Sequence, residues 1–256
     1  NCIQKNSNVG YSTELFGKDN HADRLITYAA SFGNTTLEKL EKYQKANEVG
    51  NLLKKFDAIS VRDANSGSIV EQLTGEEPVY NLDPVLTYDY MNCCNRIPQI
   101  KATEKYLILY AYAGRISNDE ADWIAEYAKK KNLKVYAIGG IQKCADRFVD
   151  CSPFEVLAYF RNAEEVITDT FHGSIFSVIT HRPFTTLIRK SVGNSYGNEE
   201  KLSDLLNRLG LAERMTTKVE DTERINQQPI DYEKVDDVLQ KQREIAKKYL
   251  QNNIEG

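Results

Sequence analysis

Short apolar runs alternate with stretches of helical spacing from residue 25 to the end of the chain. Alternation of this kind predicts α/β layering with largely parallel sheets. Residues 25–31 (LITYAAS) predict a strand, and residues 37–55 are mostly helical in spacing. A strand over 58–62 follows, then a helix over 66–73 closed by Gly75, and a strand over 79–82 that stops before Asp83 and Pro84. Asp63 sits where a helix cap belongs, and Asp83 where a turn former belongs. The chain starts at Asn1 without an initiator methionine, its first twenty residues are loop-like, and three strands are few for a doubly wound domain. Residues 1–86 are therefore expected to be the C-terminal half of a Rossmann-like domain whose N-terminal part is missing.

Residues 87–104 hold Cys93, Cys94 and Pro98 with little periodicity and predict a linker. A second series opens with 106–112 (YLILYAY), a near-continuous apolar run typical of a strand buried on both faces of a parallel sheet. The helix after it is specified at both ends. Ser117 and Glu120 form a capping box, Ala121, Ile124, Ala125 and Ala128 make the apolar face, and Lys129, Lys130 and Lys131 complement the C-terminal dipole. That lysine run reads as helix chemistry rather than a phosphate patch. A strand over 134–138 ends at Gly139 and Gly140, and Ser152-Pro153-Phe154-Glu155 is a second capping box with proline at the first helical position. Leu202, Leu205, Leu206 and Leu209 mark a later helix closed by Gly210, and a last helix runs from Tyr232 to about Leu250. Residues 105–228 are expected to form a second Rossmann-like domain, and 229–256 a C-terminal helix packing back towards the first.

The chemistry concentrates between residues 164 and 190 (EEVITDTFHGSIFSVITHRPFTTLIRK). A short β-branched strand ends at Asp169 and Thr170, a helix follows until Pro183 stops it, and a new strand begins at Phe184. The first turn of such a helix leaves backbone N–H groups without intrahelical partners. Asp169 or Thr170 can cap one. The others, with the positive end of the helix dipole, suit a phosphate or carboxylate, and Gly173 lets the ligand approach the backbone. His172 would stand beside it as a neutral base able to return a proton. The bland alternative is a capped helix with a buried, hydrogen-bonded histidine. In open α/β sheets ligands bind outside the carboxyl ends of strands. Arg62 with Asp63, Gly114 with Arg115, and 169–173 share that position, and with facing domains Arg62 is expected to reach a ligand held at His172. The equal alternative for Arg62 is a surface salt bridge.

At 256 residues and a net charge of -4, the chain has room for two domains and no global basic field, so nucleic acid is not an expected partner. No apolar run approaches the roughly 20 residues of a membrane span, and no signal peptide opens the chain. A cytoplasmic protein, with peripheral attachment to the inner membrane as an option, is expected. Cys2, Cys93, Cys94, Cys144 and Cys151 show neither a C-x-x-C pair nor a histidine at zinc-ligand spacing, so they read as reduced and structural, with no metal.

Three segments together carry a family likeness: AISVRDANSGSIVEQLTG at 58–75, VYNLDPVL at 79–86 and VITDTFHGSIFSVITHRPFTTLIR at 166–189, with YAASFG at 28–33. This ordered set resembles the polysaccharide pyruvyl transferase family, in particular its Bacteroides-type branch. The resemblance implies two Rossmann-like parallel-sheet domains of GT-B type. It also implies transfer of a pyruvyl group from phosphoenolpyruvate, a donor substrate rather than a cofactor, onto a sugar of a cell-surface polysaccharide or its precursor, lipid-linked at the membrane surface in some cases. On it, His172 is the acid/base residue, Arg62 an anion clamp, and the Gly173 and Ser174 amides phosphate donors, with Asp169 and Thr170 beside them. Better-known relatives carry an arginine two positions before the motif histidine. Here that position is Thr170, so either Arg189, Lys190 or Arg115 replaces the charge or this branch uses another donor. Two readings compete on the same architecture: a nucleotide-sugar glycosyltransferase, and an interaction module without turnover.

Overall fold

The apolar run at 25–31 contributes only two parallel bridges to its neighbour, Ile26 with Ala58 and Ala30 with Val61, in a computed structural model that describes residues 11–190 and 197–254. The expected strand is interrupted because Ala29 has a φ of 49°, a left-handed conformation through which a pleated strand does not continue. Thr27 compensates: its Oγ1 donates to the Ser60 carbonyl at 2.9 Å and accepts from the Ser60 amide at 2.9 Å. The expected helix over 37–55 is likewise two helices, α1 (Leu37–Lys42) and α2 (Ala46–Leu53), parted where Gln44 takes a φ of 55°. Strand β1 (Ser60–Val61), helix α3 (Ala64–Thr74) and strand β2 (Val79–Tyr80) complete this series, with β1 and β2 parallel. Asp63 is the cap of α3, its Oδ1 accepting the Ser66 amide at 2.8 Å.

The chain divides into two units, one made of residues up to Thr87 together with those from Gln240 onward, the other of Tyr88–Leu239. In the first, Tyr249 Oη donates to the Thr27 carbonyl at 2.7 Å and Arg243 Nε to the Leu86 carbonyl at 3.2 Å. Short helices α4 (Pro84–Thr87) and α5 (Tyr90–Cys93) follow β2, so the segment read as a linker holds a helical turn capped by Asp89.

The second unit runs β3 (Tyr106–Tyr110), α6 (Asn118–Lys130), β4 (Lys134–Ile138), β5 (Arg147–Phe148), α7 (Pro153–Asn162), β6 (Glu165–Thr168), α8 (Phe171–Ile179), β7 (Phe184–Leu187), α9 (Glu199–Arg208), β8 (Met215–Thr216), α10 (Thr222–Gln227) and the start of α11 (Tyr232–Ile254). All six strands are parallel in the order β5-β4-β3-β6-β7-β8. The chain builds outward from β3 to one edge, then returns beside β3 with β6 and builds to the other. That reversal is the topological switch point of a doubly wound sheet. Spacing predicts neither β5, β8 nor α10, since two-residue edge strands and a six-residue helix leave no period to read.

The core explains why β3 is a continuous apolar run. Tyr106, Leu107, Ile108 and Leu109 are all 0% exposed; Leu107 and Leu109 pack with Ile124, Tyr127 and Ala128 of α6, and Tyr106 stacks on Tyr136. Burying Ile124 contributes about 1.5–3 kcal/mol. The capping box at the head of α6 is formed in both directions, Ser117 N to Glu120 Oε2 at 2.9 Å and Glu120 N to Ser117 Oγ at 3.2 Å. It fixes the helix start beside the carboxyl end of β3. Cys93, Cys94, Cys144 and Cys151 are free thiols, and Cys2 lies outside the described residues. No helix among the described residues is long and apolar enough to cross a membrane.

Candidate active site

Strand β6 is buried along its whole length and delivers Asp169 and Thr170 to the carboxyl edge of the sheet beside β3. Thr170 is the cap of α8, with φ -116° and ψ 149°, and its Oγ1 accepts the Gly173 amide at 2.9 Å. Thr168 fixes the turn from below, donating through Oγ1 to the Tyr110 carbonyl at 2.7 Å and accepting the Thr170 amide at 3.1 Å. Position 173 must be glycine: a Cβ there would lie 2.1 Å from Thr168 Oγ1 and 2.7 Å from the Tyr110 ring. A second close approach shapes the same edge, since a Cβ on Gly140 would lie 2.3 Å from the Ala113 amide, pressing the loop after β4 onto the loop after β3.

This geometry changes the expected role of two residues. Gly173 serves the packing of its own turn rather than the approach of a ligand, and its amide is taken by Thr170. Ser174 is fully buried, its amide bonds the Thr170 carbonyl at 3.3 Å, and its hydroxyl lies 2.9 Å from Thr186 Oγ1. The two amides expected to hold a phosphate are therefore engaged within the protein. His172, half-buried, packs between aromatic rings, with centroids 5.7 Å from Phe171 and 6.0 Å from Phe176.

What stands beside the turn is a set of charged groups brought from four elements. Arg115, in the loop after β3, places Nε 2.8 Å from Asp169 Oδ2, and its guanidinium lies 6.0 Å from the Tyr112 ring centre. Arg189, just after β7, donates from Nη1 to Glu120 Oε1 at 2.6 Å. Asn198, buried at the cap of α9, ties the edge together. Its Nδ2 donates to the Asp169 carbonyl at 2.6 Å and the Leu187 carbonyl at 3.2 Å, and its Oδ1 accepts the Arg189 amide at 2.5 Å. Glu120 thus has two functions, closing the capping box of α6 and orienting Arg189.

The acids differ in their hydrogen bonding. Burial raises the Glu120 carboxyl, but the Arg189 hydrogen bond, the Ser117 amide and the Arg189 charge outweigh it, and the group lies below its ordinary range. Asp169 is 0% exposed, and neither of its carboxylate oxygens accepts a hydrogen bond; the approach of Arg115 is an ion pair by distance, not an aligned hydrogen bond. Burial pushes its carboxyl above the ordinary value, with Arg115 and then Arg189 pulling the other way. On Arg189, Nε and Nη2 are also buried without a hydrogen-bond partner.

Of the residues singled out by sequence, Asp169, Thr170, His172, Arg115 and Arg189 share one edge of the second unit. Lys190 follows Arg189 and is exposed. Arg62 belongs to the first unit, at the end of β1, where it pairs with the buried carboxylate of Asp83. Asp83 is therefore an ionic partner as well as a turn former, its Oδ1 accepting the Val85 amide at 3.0 Å. Sequence reasoning missed Asn198, which stands before Glu199-Glu200 as a helix cap should, and the second function of Glu120, which carries no local signal. No group of three or more His, Cys, Asp or Glu that could hold a metal occurs among the described residues.

Comparison with known proteins finds that the family described as polysaccharide pyruvyl transferase matches residues 5–191. No curated protein matches. Among solved structures, a putative UDP-N-acetylglucosamine 2-epimerase from Listeria monocytogenes is 10% identical, with a TM-score of 0.53 over 89% of this chain and 66% of that one. The UDP-GlcNAc 2-epimerase of Neisseria meningitidis, solved with UDP-GlcNAc, is 10% identical, with a TM-score of 0.51 over 90% of this chain and 70% of that one. An O-GlcNAc transferase variant from Thermobaculum terrenum is 14% identical, with a TM-score of 0.41 over 90% of this chain and 44% of that one. The chain thus spans from under half to about two thirds of the length of these structures. At such identities the likeness concerns the fold alone, the parallel-sheet α/β class expected of a GT-B-type chain.

Proposed function

The chain belongs to the polysaccharide pyruvyl transferase family, and we propose that it contributes the donor site of an enzyme moving the pyruvyl group of phosphoenolpyruvate onto a saccharide to form a ketal. The observation that carries this reading is the pair of guanidiniums, Arg115 and Arg189, at the carboxyl edge of the sheet beside the His172 turn. Phosphoenolpyruvate carries a phosphate and a carboxylate, and guanidinium groups suit both. Arg115 and Arg189 come from the ends of β3 and β7, on either side of β6, so they bracket the head of α8. They supply positive charge that Thr170 does not.

The reaction needs one proton delivered to the methylene carbon and protons removed from two sugar hydroxyls. Protonation turns the methylene into a methyl group and makes the adjacent carbon electrophilic. One hydroxyl adds there and a second displaces the phosphate, which leaves as inorganic phosphate. Of the two hydroxyl protons, one replaces the proton given to carbon and the other leaves with the phosphate or to solvent. His172 is the group at this edge suited to give and take a proton near neutral pH. Arg115 and Arg189 hold the donor's charged groups and orient its methylene towards His172. The acceptor is a hydroxylated sugar of a cell-surface polysaccharide or its precursor.

The test is release of inorganic phosphate from phosphoenolpyruvate in the presence of candidate saccharide acceptors. The reading expects release that depends on acceptor and is lost in His172→Ala. Binding of phosphoenolpyruvate that is undiminished in both Arg115→Gln and Arg189→Gln contradicts it.

A further inference from the structure

We propose that Asp169 is an internal counter-ion that competes with a bound anion for Arg115 and Arg189, so that the site takes up a proton when the anion binds. This rests on the reading of the edge beside His172 as an anion site, and it assigns Asp169 a part in setting affinity that its place next to the α8 cap does not reveal.

A carboxylate withdrawn from water is ordinarily held by several hydrogen bonds. Asp169 is fully buried and neither oxygen accepts one, although Arg115 Nε stands 2.8 Å from Oδ2. Its charge is balanced chiefly by proximity to Arg115 and then Arg189, with its own backbone amide a weaker influence. The charged groups around it come from every neighbouring element: Arg115 from the loop after β3, Arg189 from the end of β7, Glu120 from α6, with His172 the titratable group in the first turn of α8. With both acids ionised, Arg115 and Arg189 against Asp169 and Glu120 sum to zero. Glu120 keeps its charge through hydrogen bonds to Arg189 and Ser117. Asp169 has no side-chain hydrogen bond of that kind.

An anion arriving at the two guanidiniums adds negative charge to a neutral set. Burial already raises the Asp169 carboxyl, and the arginines are what oppose that rise. Once their charge is shared with the ligand, the opposition weakens and the carboxyl takes a proton. The protein thereby exchanges an internal carboxylate for an external one without moving the turn, which Asn198 holds through the Asp169 carbonyl. Removing the side-chain charge while keeping its shape should strengthen anion binding, the opposite of what loss of a structural ion pair does.

The experiment is calorimetric titration of the full chain at about pH 6.5 with sulfate, which does not titrate there, and separately with phosphoenolpyruvate, each in two buffers of different ionisation enthalpy. Wild type and His172→Ala should take up a fraction of a proton on binding sulfate. Asp169→Asn should take up none and bind sulfate about tenfold tighter, a change of about 1.4 kcal/mol. Sulfate binding to the wild type without proton uptake overturns the proposal whatever the variant does, as does equal or weaker binding in a folded Asp169→Asn. Proton-coupled sulfate binding with no affinity for phosphoenolpyruvate upholds the counter-ion and sinks the donor assignment. Sulfate binding undiminished in Arg115→Gln and Arg189→Gln sinks both.

Discussion

Two buried acids stand four residues apart on one strand, Glu165 at the start of β6 and Asp169 just past its end, and they are held in opposite ways. Glu165 is 3% exposed, and its Oε2 accepts from Tyr127 Oη at 3.0 Å, Lys131 Nζ at 2.9 Å and Asn226 Nδ2 at 3.0 Å. Asp169 is more deeply buried and accepts nothing through its side chain. The first arrangement stitches α6, β6 and α10 together at the amino edge of the sheet. The second leaves a charge held only by its neighbours, at the edge where doubly wound sheets bind ligands. Unmatched buried groups gather at the carboxyl edge, where both Asp169 oxygens and Arg189 Nε and Nη2 lack hydrogen-bond partners, against one oxygen, Oε1, on Glu165. The amino edge is therefore the anchor of the unit and the carboxyl edge its reactive end.

The contrast can be tested from both ends. The largest effect is expected at the reactive edge, where His172→Ala should lower the rate of acceptor-dependent phosphate release by about 10²–10⁴-fold and leave the denaturation midpoint nearly unchanged. At the other edge Glu165→Ala should do the reverse. Lys131 would lose its ionic partner, keeping Tyr127 Oη at 2.9 Å, and Tyr127 an acceptor, costing about 2–3 kcal/mol, less than a fully buried pair costs because the Lys131 side chain is 33% exposed. Urea unfolding measures this, and activity per folded molecule should hold.

Asn198→Ala falls between the two. It leaves the Asp169 and Leu187 carbonyls and the Arg189 amide short of partners, a cost of about 1–3 kcal/mol for buried groups. Because those groups frame the reactive edge, phosphoenolpyruvate binding should weaken along with stability. Unaltered binding in a folded variant would separate Asn198 from the site. The smallest effect is expected from Glu120→Gln. The Glu120 carboxyl lies below its ordinary value of 4.5 in the folded chain. Its contribution, under about 1 kcal/mol at a partly exposed pair, is therefore present above that value and lost as pH falls through the lowered one. The stability difference between wild type and variant should shrink towards zero as pH falls below the ordinary carboxylate range and through the lowered value.

Much of the architecture was legible because it rests on local rules. The capping boxes at Ser117 and Ser152, the glycine after α3 and the apolar β3 run all occur where spacing puts them. The failures have physical causes of another kind. Residues 25–31 look like a strand, yet Ala29 turns left-handed and the Thr27 side chain replaces the missing ladder. Gln44 divides a helix that periodicity alone would continue. At the site, the β6–turn–α8 segment could be read from its own residues, and so could the need for further positive charge. That Glu120 reaches Arg189, and that the Asn198 side chain clamps the Asp169 carbonyl, depends on residues 69 and 29 positions apart meeting at one sheet edge. No local pattern encodes such a meeting. Gly173 shows the converse, a correct motif with a different reason: its bare Cα makes room for Thr168 and Tyr110, not for a ligand.

The most direct test of the central claim is a crystal structure of the chain with phosphoenolpyruvate bound. The account predicts the donor's phosphate or carboxylate within hydrogen-bond distance of Arg115 and Arg189 and its methylene carbon facing His172. Phosphoenolpyruvate bound away from these three residues, with the Arg115–Asp169 and Arg189–Glu120 pairs undisturbed, would contradict it.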